Sequence, residues 1–353
     1  MNTNELLSNP QENPAAIKSY KKIEGIISGL EKRSPYSRQN EDDGGITIFE
    51  SENEESEAFK LCRITDPDSK EVGKLVEFMG SHFKPEELES LKKTQSAIRD
   101  KNNSSYYVLK NSKGEIVSIS LGSLHSFASE GETGGEKAFF SFDYVATRKD
   151  CGGKKLDREL YMESLKSALQ NARTRKQELV ALLWGAIDRR VEIFASRGTG
   201  LEFQTACFED AEGNFHEVPF NNPPFSWDKN TGLPIDPETK KPAEGNLEKY
   251  GVPEILMLRM INEENEITAK ELIDMVKAYW EYNCTFKGTA GVIEASEEAI
   301  KINRKIVEGF IRTMENQIVQ AEGGKIMLLG AREKLELKKR LEAGGKEFIM
   351  SEV

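Results

Sequence analysis

The sequence predicts an α/β protein, α+β in layout: a mixed, mostly antiparallel twisted sheet flanked by helices, with an α-helical extension at its C-terminal end. Three observations predict it. Runs rich in β-formers alternate with runs of helical period from Phe59 to Ile261. One run, Leu179–Ile187 (LVALLWGAI), is apolar almost without interruption, the pattern of a strand buried on both faces. The chain after Thr268 is written largely in helix formers.

Residues 1–57 are polar and acidic and carry EDDGG and ESENEESE. A helix is predicted over Ala15–Leu30, where Ile17, Tyr20, Ile23, Ile26 and Ile27 share a face. The stretch 34–57 is too poor in apolar residues to fold alone and reads as a linker. FKLCRIT, from Phe59, reads as a strand. Asp66–Pro67–Asp68 opens a helix with Val72, Leu75, Val76 and Met79 at helical spacing, and a second helix covers Pro85–Ile98. YYVLKNSKGEIVSISLGSLHSFA reads as a hairpin turning at Asn111–Ser112–Lys113–Gly114. A Gly-rich loop, Ser129–Lys137, leads into the strand Phe139–Ala146, the turn Thr147–Gly153 and a helix with Leu156, Leu160, Leu165 and Leu169 on its apolar face.

The strand Leu179–Ile187 follows, then a short helix (DRRVEIFASRG) and the strand Leu201–Phe208. Residues 209–250 form a long polar insertion holding Phe225, Trp227 and Tyr250, and loops of that length commonly carry binding function. Val252–Ile261 is a last strand. Beyond it, KELIDMVKAYWEY, Ser296–Gln320 and Lys325–Ala343 read as helices. The divisions expected are 1–57, 58–262 and 263–353.

The chain has 353 residues, 37% hydrophobic and 31% charged, with a net charge of -11. That acidity argues against attachment to nucleic acid or to an anionic membrane. No apolar run approaches the roughly 20 residues that span a bilayer. The first residues lack the basic segment and apolar core of a secretory signal. Cys62, Cys151, Cys207 and Cys284 are far apart, with no CxxC and no Cys/His cluster at ligand spacing, so reduced thiols and no metal are expected. A cytoplasmic location is the expectation. His82, His125 and His216 each lack a second His or Cys at motif spacing and read as structural or surface residues.

The most informative feature is the turn Thr147–Gly153. A backbone-rich turn at a helix N-terminus presents unpaired N–H groups and the positive end of the helix dipole, which suits an anion.

In this order, four features make residues 59–261 resemble the GCN5-related N-acetyltransferase (GNAT) family. They are the hairpin with its Gly-rich link, the strand ending in Val145 before a Gly-containing turn, FASRG closing a short helix, and the late strand VPEILM. The resemblance implies a sheet splayed to admit the pantetheine arm of acetyl-CoA or another acyl-CoA, and direct transfer of the acyl group to an amine. It places Val145, Ala146 and Thr147 beside the arm and Gly152, Gly153, Lys154, Lys155, Leu156 and Asp157 around the pyrophosphate. The family's signature there is Arg or Gln, two residues, Gly, one residue, then Gly or Ala. Matched on the helical leucines, it falls on Gly152–Asp157, with Gly152 for the Arg or Gln, Lys155 for the first Gly and Asp157 for the last. Matched without a gap, it falls on Asp150–Lys155 and keeps Gly153. Lys154 and Lys155 favour an anion, whereas Asp157 competes with it for the helix dipole.

The resemblance also implies a base on the strand, for which Asp143 is the candidate, and an acid at the position held here by Phe194, which has no proton to give. Tyr144 is the nearby substitute. Three readings follow: an N-acyltransferase acting on a small-molecule or protein amine, with net acidity favouring a cationic acceptor; a binding or regulatory module of the same fold without catalysis; or an assembly protein. The last draws on the apolar stripe Ile300, Ile302, Ile306, Val307, Phe310, Ile311, Met314 and Ile318, which offers a face for a homodimer.

Overall fold

The computed structural model describes residues 13–40, 46–50, 58–127, 136–224, 226–236, 238–245, 247–261, 266–285, 295–319 and 325–351. The Gly-rich loop Ser129–Lys137 falls largely outside them, as does Phe225. The strands are β1 (Tyr36–Asn40), β2 (Ile46–Glu50), β3 (Ala58–Arg63), β4 (Ser104–Lys110), β5 (Ile116–Phe127), β6 (Lys137–Thr147) and β7 (Glu178–Ala186). There follow β8 (Gln204–Glu209), β9 (Phe215–Glu217), β10 (Pro219–Asn222), β11 (Val252–Met260), β12 (Glu266–Thr268), β13 (Lys325–Leu329) and β14 (Phe348–Ile349). The helices are α1 (Pro14–Glu31), α2 (Lys70–Gly80), α3 (Leu91–Arg99), α4 (Leu156–Arg175), α5 (Arg189–Arg197), α6 (Ala269–Cys284), α7 (Glu297–Ile318) and α8 (Ala331–Ala343).

All the strands belong to one sheet, in the order β1-β2-β3-β4-β5-β6-β7-β11-β8-β13-β12, with β10 on β11, β9 on β8 and β14 on β9. Pairing is antiparallel except at β6/β7 and β9/β14. This is the mixed, mostly antiparallel sheet flanked by helices that the sequence predicts. Helices α1, α4 and α5 cover one face, over Phe140, Phe142, Leu182 and Trp184. On the other face, α6 and α7 pack over Phe139, Leu183, Leu256 and Leu258, and α2 and α3 over Val108, Ile119 and Leu121. The alternation of even and odd residues between the two covers is what a strand of period two dictates when both faces are buried.

Several segments differ from the sequence reading: Pro85–Ile98 is a 3₁₀ turn at Pro85–Glu87 followed by α3, and the insertion 209–250 carries β9 and β10. Part of 34–57 is not linker: Tyr36–Asn40 and Ile46–Glu50 extend the sheet beyond β3, and Ile48 is fully buried. Two or three apolar residues at alternate positions suffice when an edge already exists to pair with. Lys325–Leu329 is a strand, not the start of a helix, because KIMLL is a short apolar run that pairs with β8 and β12. The C-terminal segment thus adds strands as well as helices. It is fastened by Lys334 of α8, buried between Glu192 of α5 and Glu217 of β9, while Arg189 grips both oxygens of Glu217. A buried ion cluster of this kind is costly to break from one side.

The N-terminal segment is fastened over α4. Tyr20 donates its hydroxyl to the carbonyls of Gln177 (2.8 Å) and Ala172 (3.2 Å) at the C-terminal end of α4. Arg38 bonds Glu159 (2.9 Å) and Glu163 (2.8 Å), so α4 is enclosed between strap and sheet.

Candidate active site

The parallel pair β6/β7 supplies the site. The two strands pair from Lys137 opposite Glu178 to Phe142 opposite Trp184, with Val180 an extra residue on β7, and then part. Beyond that point Gly185 and Ala186 pair only with Leu256 and Ile255 of β11, and Tyr144–Thr147 pair only with β5, among the described residues. A crevice opens at the carboxyl ends of two parallel strands, the customary position for a ligand in such sheets.

Asp143 sits where the strands part, and a β-bulge places it there. Leu121 of β5 faces Tyr144 and the next residue, Gly122, faces Phe142, so Asp143 is the extra residue. The bulge reverses the alternation of β6. Phe140 and Phe142 point toward α4, but Tyr144 joins the α2/α3 cover. Asp143 Oδ1 accepts from Ser141 Oγ (2.6 Å) and Oδ2 from Ser123 Oγ (3.1 Å).

The crevice holds a cavity of about 60 Å³ lined by four carboxylates, Glu87, Glu89, Asp143 and Glu254, with Phe83, Trp184, Tyr279 and Asn283 among its walls. It has room for a few waters. A larger guest requires wall side chains to turn aside. Burial pushes the Asp143 carboxyl up to about 7; the nearby Glu89 adds to this, while the bonds from Ser141 and Ser123 oppose it. Burial likewise pushes Glu254 up to about 8, with Glu87 adding to it. Glu89 is paired with Lys93 at 2.8 Å, both side chains almost wholly buried. The Asn283 amide nitrogen is buried without a partner among the described residues.

Glu254 fits only because β7 carries Gly185: a Cβ there would lie 1.5 Å from Glu254 Oε2. The raised value of Glu254 has a consequence for stability. The folded state holds the proton more firmly than the unfolded chain, so the contribution is full below the ordinary carboxylate range and is lost as pH rises through about 8. Replacing Glu254 by Gln is therefore expected to stabilise the fold by ~5 kcal/mol at pH 9 relative to pH 4, read as the urea midpoint at both pH values.

Of the other candidates from the sequence, Val145 lines the cavity. Tyr144 lines it as well, with its hydroxyl donated to the Glu87 carbonyl (2.5 Å) and its ionisation suppressed by burial. Ala146 packs under α2 and α3, and Thr147 bonds Ser118 (2.7 Å). The turn is placed apart from this cavity. Lys149–Cys151 is one turn of 3₁₀ helix, with Cys151 and Gly152 donating their N–H groups back to Arg148 (2.9 Å) and Lys149 (3.1 Å). Gly153 has φ 82 and Lys155 φ 56, which turn the chain into α4. The Lys154 carbonyl accepts from Tyr36 (2.7 Å), and its ammonium lies over the Phe59 ring. Leu156 is fully buried, under β1–β4. Asp157 places a carboxylate in the first turn of α4, and burial raises its pKa. Phe194 stands edge-on to Trp184, 6.5 Å between ring centres.

Glu254, Glu89 and Asn283 were not singled out by sequence reasoning. Glu254 carried one signal: a lone carboxylate early in the apolar run VPEILMLRM. All four cysteines are free thiols, and the described residues hold no cluster of metal-ligating side chains.

Neither a protein-family model nor a curated protein matches the chain. Solved structures similar to it include the GCN5-related glucosamine N-acetyltransferase region of a fungal multi-domain GH3 β-N-acetylglucosaminidase, at 11% identity and TM-score 0.31 over 48% of this chain. The chain spans only 20% of the length of that protein. An acetyltransferase of the GNAT family from Staphylococcus aureus Mu50 is 11% identical, with TM-score 0.31, over 57% of this chain and 99% of its own. A GNAT-family N-acetyltransferase from Escherichia coli, in complex with CoA, is 10% identical, with TM-score 0.28, over 57% and 80%. The likeness concerns the fold, and at these scores it assigns no residue a role.

Proposed function

We propose that the protein is an acyl-CoA-dependent N-acyltransferase that moves an acetyl group from acetyl-CoA directly to an amine. The observation that carries this reading is Asp143: a carboxylate on a bulge, where two parallel strands part, titrating near neutrality. An amine attacks a thioester only as the free base and sheds a proton as the new bond forms. A base of pKa near the working pH is suited to take that proton. Glu87 beside it favours an acceptor that arrives as a cation, while Glu254 is held protonated at neutral pH and Glu89 is already paired with Lys93. Val145 and the unpaired edge of β6 would lie along the pantetheine arm. Tyr144, whose hydroxyl is donated to the Glu87 carbonyl, would be the acid for the departing thiolate, which leaves well without help.

The turn at Gly152–Asp157 would take the pyrophosphate if the Asp157 carboxylate gave way. Asp157→Ala, which removes a carboxylate from the first turn of α4, is expected to tighten acetyl-CoA several-fold in a titration. The activity itself is tested by release of free thiol from acetyl-CoA in the presence of a panel of di- and polyamines. Amine-dependent release supports the reading. Acetyl-CoA that binds without turnover under any amine would favour a binding or regulatory module, the reading that Asp157 and Phe194 support.

A further inference from the structure

We propose that the acceptor is a primary amine with an anionic group, a carboxylate or a phosphate, at its far end, and that Lys84, Lys240 and Lys249 receive that anion. The inference rests on the acyltransferase reading and names the class of its second substrate. A second cavity, of about 470 Å³, opens beside the carboxylate crevice, and Glu87 and Ile187 line both. Its volume suits a small molecule. Its walls are the link between α2 and α3, the insertion 209–250 and the start of β11. The described lining includes no residue of α4 or of the turn before it, so an acyl-CoA seated on that turn leaves this space to the acceptor.

Three lysines from segments far apart in the chain line this cavity. Lys84 precedes the 3₁₀ turn Pro85–Glu87; its side chain is 71% exposed, with Nζ 3.9 Å from Glu87 Oε1. Lys240 and Lys249 come from the insertion, which is organised around Asp236. The Asp236 carboxylate accepts from the N–H groups of Glu238 (2.8 Å) and Thr239 (2.9 Å) and from the Tyr250 hydroxyl (3.2 Å). The chain then passes through Lys240 at φ 57, a left-handed conformation that a lysine adopts only where its surroundings impose it. Lys249 Nζ lies over the Tyr250 ring, 4.7 Å from its centre. Ser226 Oγ donates to the Leu88 carbonyl (3.2 Å), which ties the insertion to the link between α2 and α3.

Among the described residues, neither Lys240 nor Lys249 is held in an ion pair, and Lys84 has only the long contact with Glu87. The carboxylates of the lining are Glu87, at the seam between the two spaces, and Glu238, exposed at the rim. In a chain of net charge -11, a cleft lined by three lysines is a local reversal of sign, and it draws anions. Charge therefore changes along one path. Asp143 and Glu87 at the inner end suit an ammonium, and the lysines at the outer end suit an anion. A molecule with both charges fits in one orientation, amine inward, which presents the nucleophile to Asp143. A diamine brings its second ammonium against the lysines, and a plain alkylamine leaves them unanswered. The lysine ammonium is a compact point charge and answers carboxylate and phosphate alike.

The test compares 4-aminobutyrate, 3-aminopropyl phosphate, butylamine and 1,4-diaminobutane, amines of similar length. Each is titrated calorimetrically into the full chain with desulfo-CoA present, and each is assayed for thiol release from acetyl-CoA. The proteins are the wild type, Lys84→Gln and the double variant Lys240→Gln/Lys249→Gln. At least one anionic amine is expected to bind, and to exceed butylamine about tenfold in kcat/KM, with the diamine poorest. The double variant should cut that preference about tenfold, through KM and not kcat. Lys84→Gln should cut it about threefold. Which of the two anionic amines gains more identifies the anion as carboxylate or phosphate. Butylamine or the diamine used as well as both anionic amines would overturn the inference, as would a preference that survives the double variant, or no binding of either anionic amine. Failure of acetyl-CoA to bind overturns the acyltransferase reading. Lysine-dependent binding of an anionic amine in that case leaves the ligand class of the cavity standing, so the two failures are told apart.

Discussion

Asp143→Asn is expected to slow amine-dependent thiol release from acetyl-CoA by about 10²–10⁴-fold while leaving acetyl-CoA affinity within a factor of two. Asn keeps the shape, accepting with Oδ1 from one of Ser141 and Ser123 and donating Nδ2 to the other, but it cannot take a proton. The pH dependence supplies a second readout. Because burial holds the carboxyl near 7, the wild-type rate should climb as pH rises toward that value and level off above it, where the base is ionised. The variant should lack that rise. Its stability should also exceed that of the wild type above pH 7, because a buried carboxylate that costs free energy when ionised has been removed. A variant that is both less active and less stable at pH 8 would point to a structural role for Asp143.

Gly122→Ala is expected to destabilise the protein by about 3 kcal/mol or more. A Cβ at Gly122 would lie 2.3 Å from the Ser141 carbonyl oxygen and within 2.6 Å and 2.9 Å of the Phe140 ring. Carbonyl and ring are both locked, one in the β5/β6 ladder and the other in the α4 core, so relief must come from separating the strands. The bulge would then be lost and Asp143 with it. Gly25→Ala is the control. Nothing lies within 4 Å of its Cβ position, and it sits mid-helix in α1, so it should gain up to about 1 kcal/mol. Urea denaturation of the two variants beside the wild type checks both signs.

These two residues show where sequence reasoning reaches and where it stops. Asp143 was a candidate because the resemblance puts a base on the strand FFSFDYVA, ahead of a Gly-containing turn and a helix. Its bulge was not legible, since an extra residue in a strand is visible only against the partner, and Gly122 gave no warning within the hairpin. The buried strand LVALLWGAI, the turn Asn111–Gly114 and the helices α1, α6 and α7 were legible from local pattern, because period and turn chemistry specify them without outside help. The strands at Tyr36–Asn40, Ile46–Glu50 and Lys325–Leu329 were not, because each exists only by pairing with an edge made elsewhere. Glu254 belongs with these. Its burial depends on the missing side chain of Gly185, on a strand some seventy residues earlier. His125 read as a structural residue, and its bond to Ser141 is a cross-strand relation that spacing in the sequence does not show.

On the acyltransferase reading, the crevice between β6 and β7 receives an acyl-CoA. The most direct test is calorimetric titration of the protein with acetyl-CoA, with desulfo-CoA and adenosine diphosphate as controls. Micromolar binding of acetyl-CoA and desulfo-CoA, much weaker binding of the diphosphate, and a loss of affinity in Gly153→Pro are the predicted result. No heat of binding at millimolar acetyl-CoA would contradict the account.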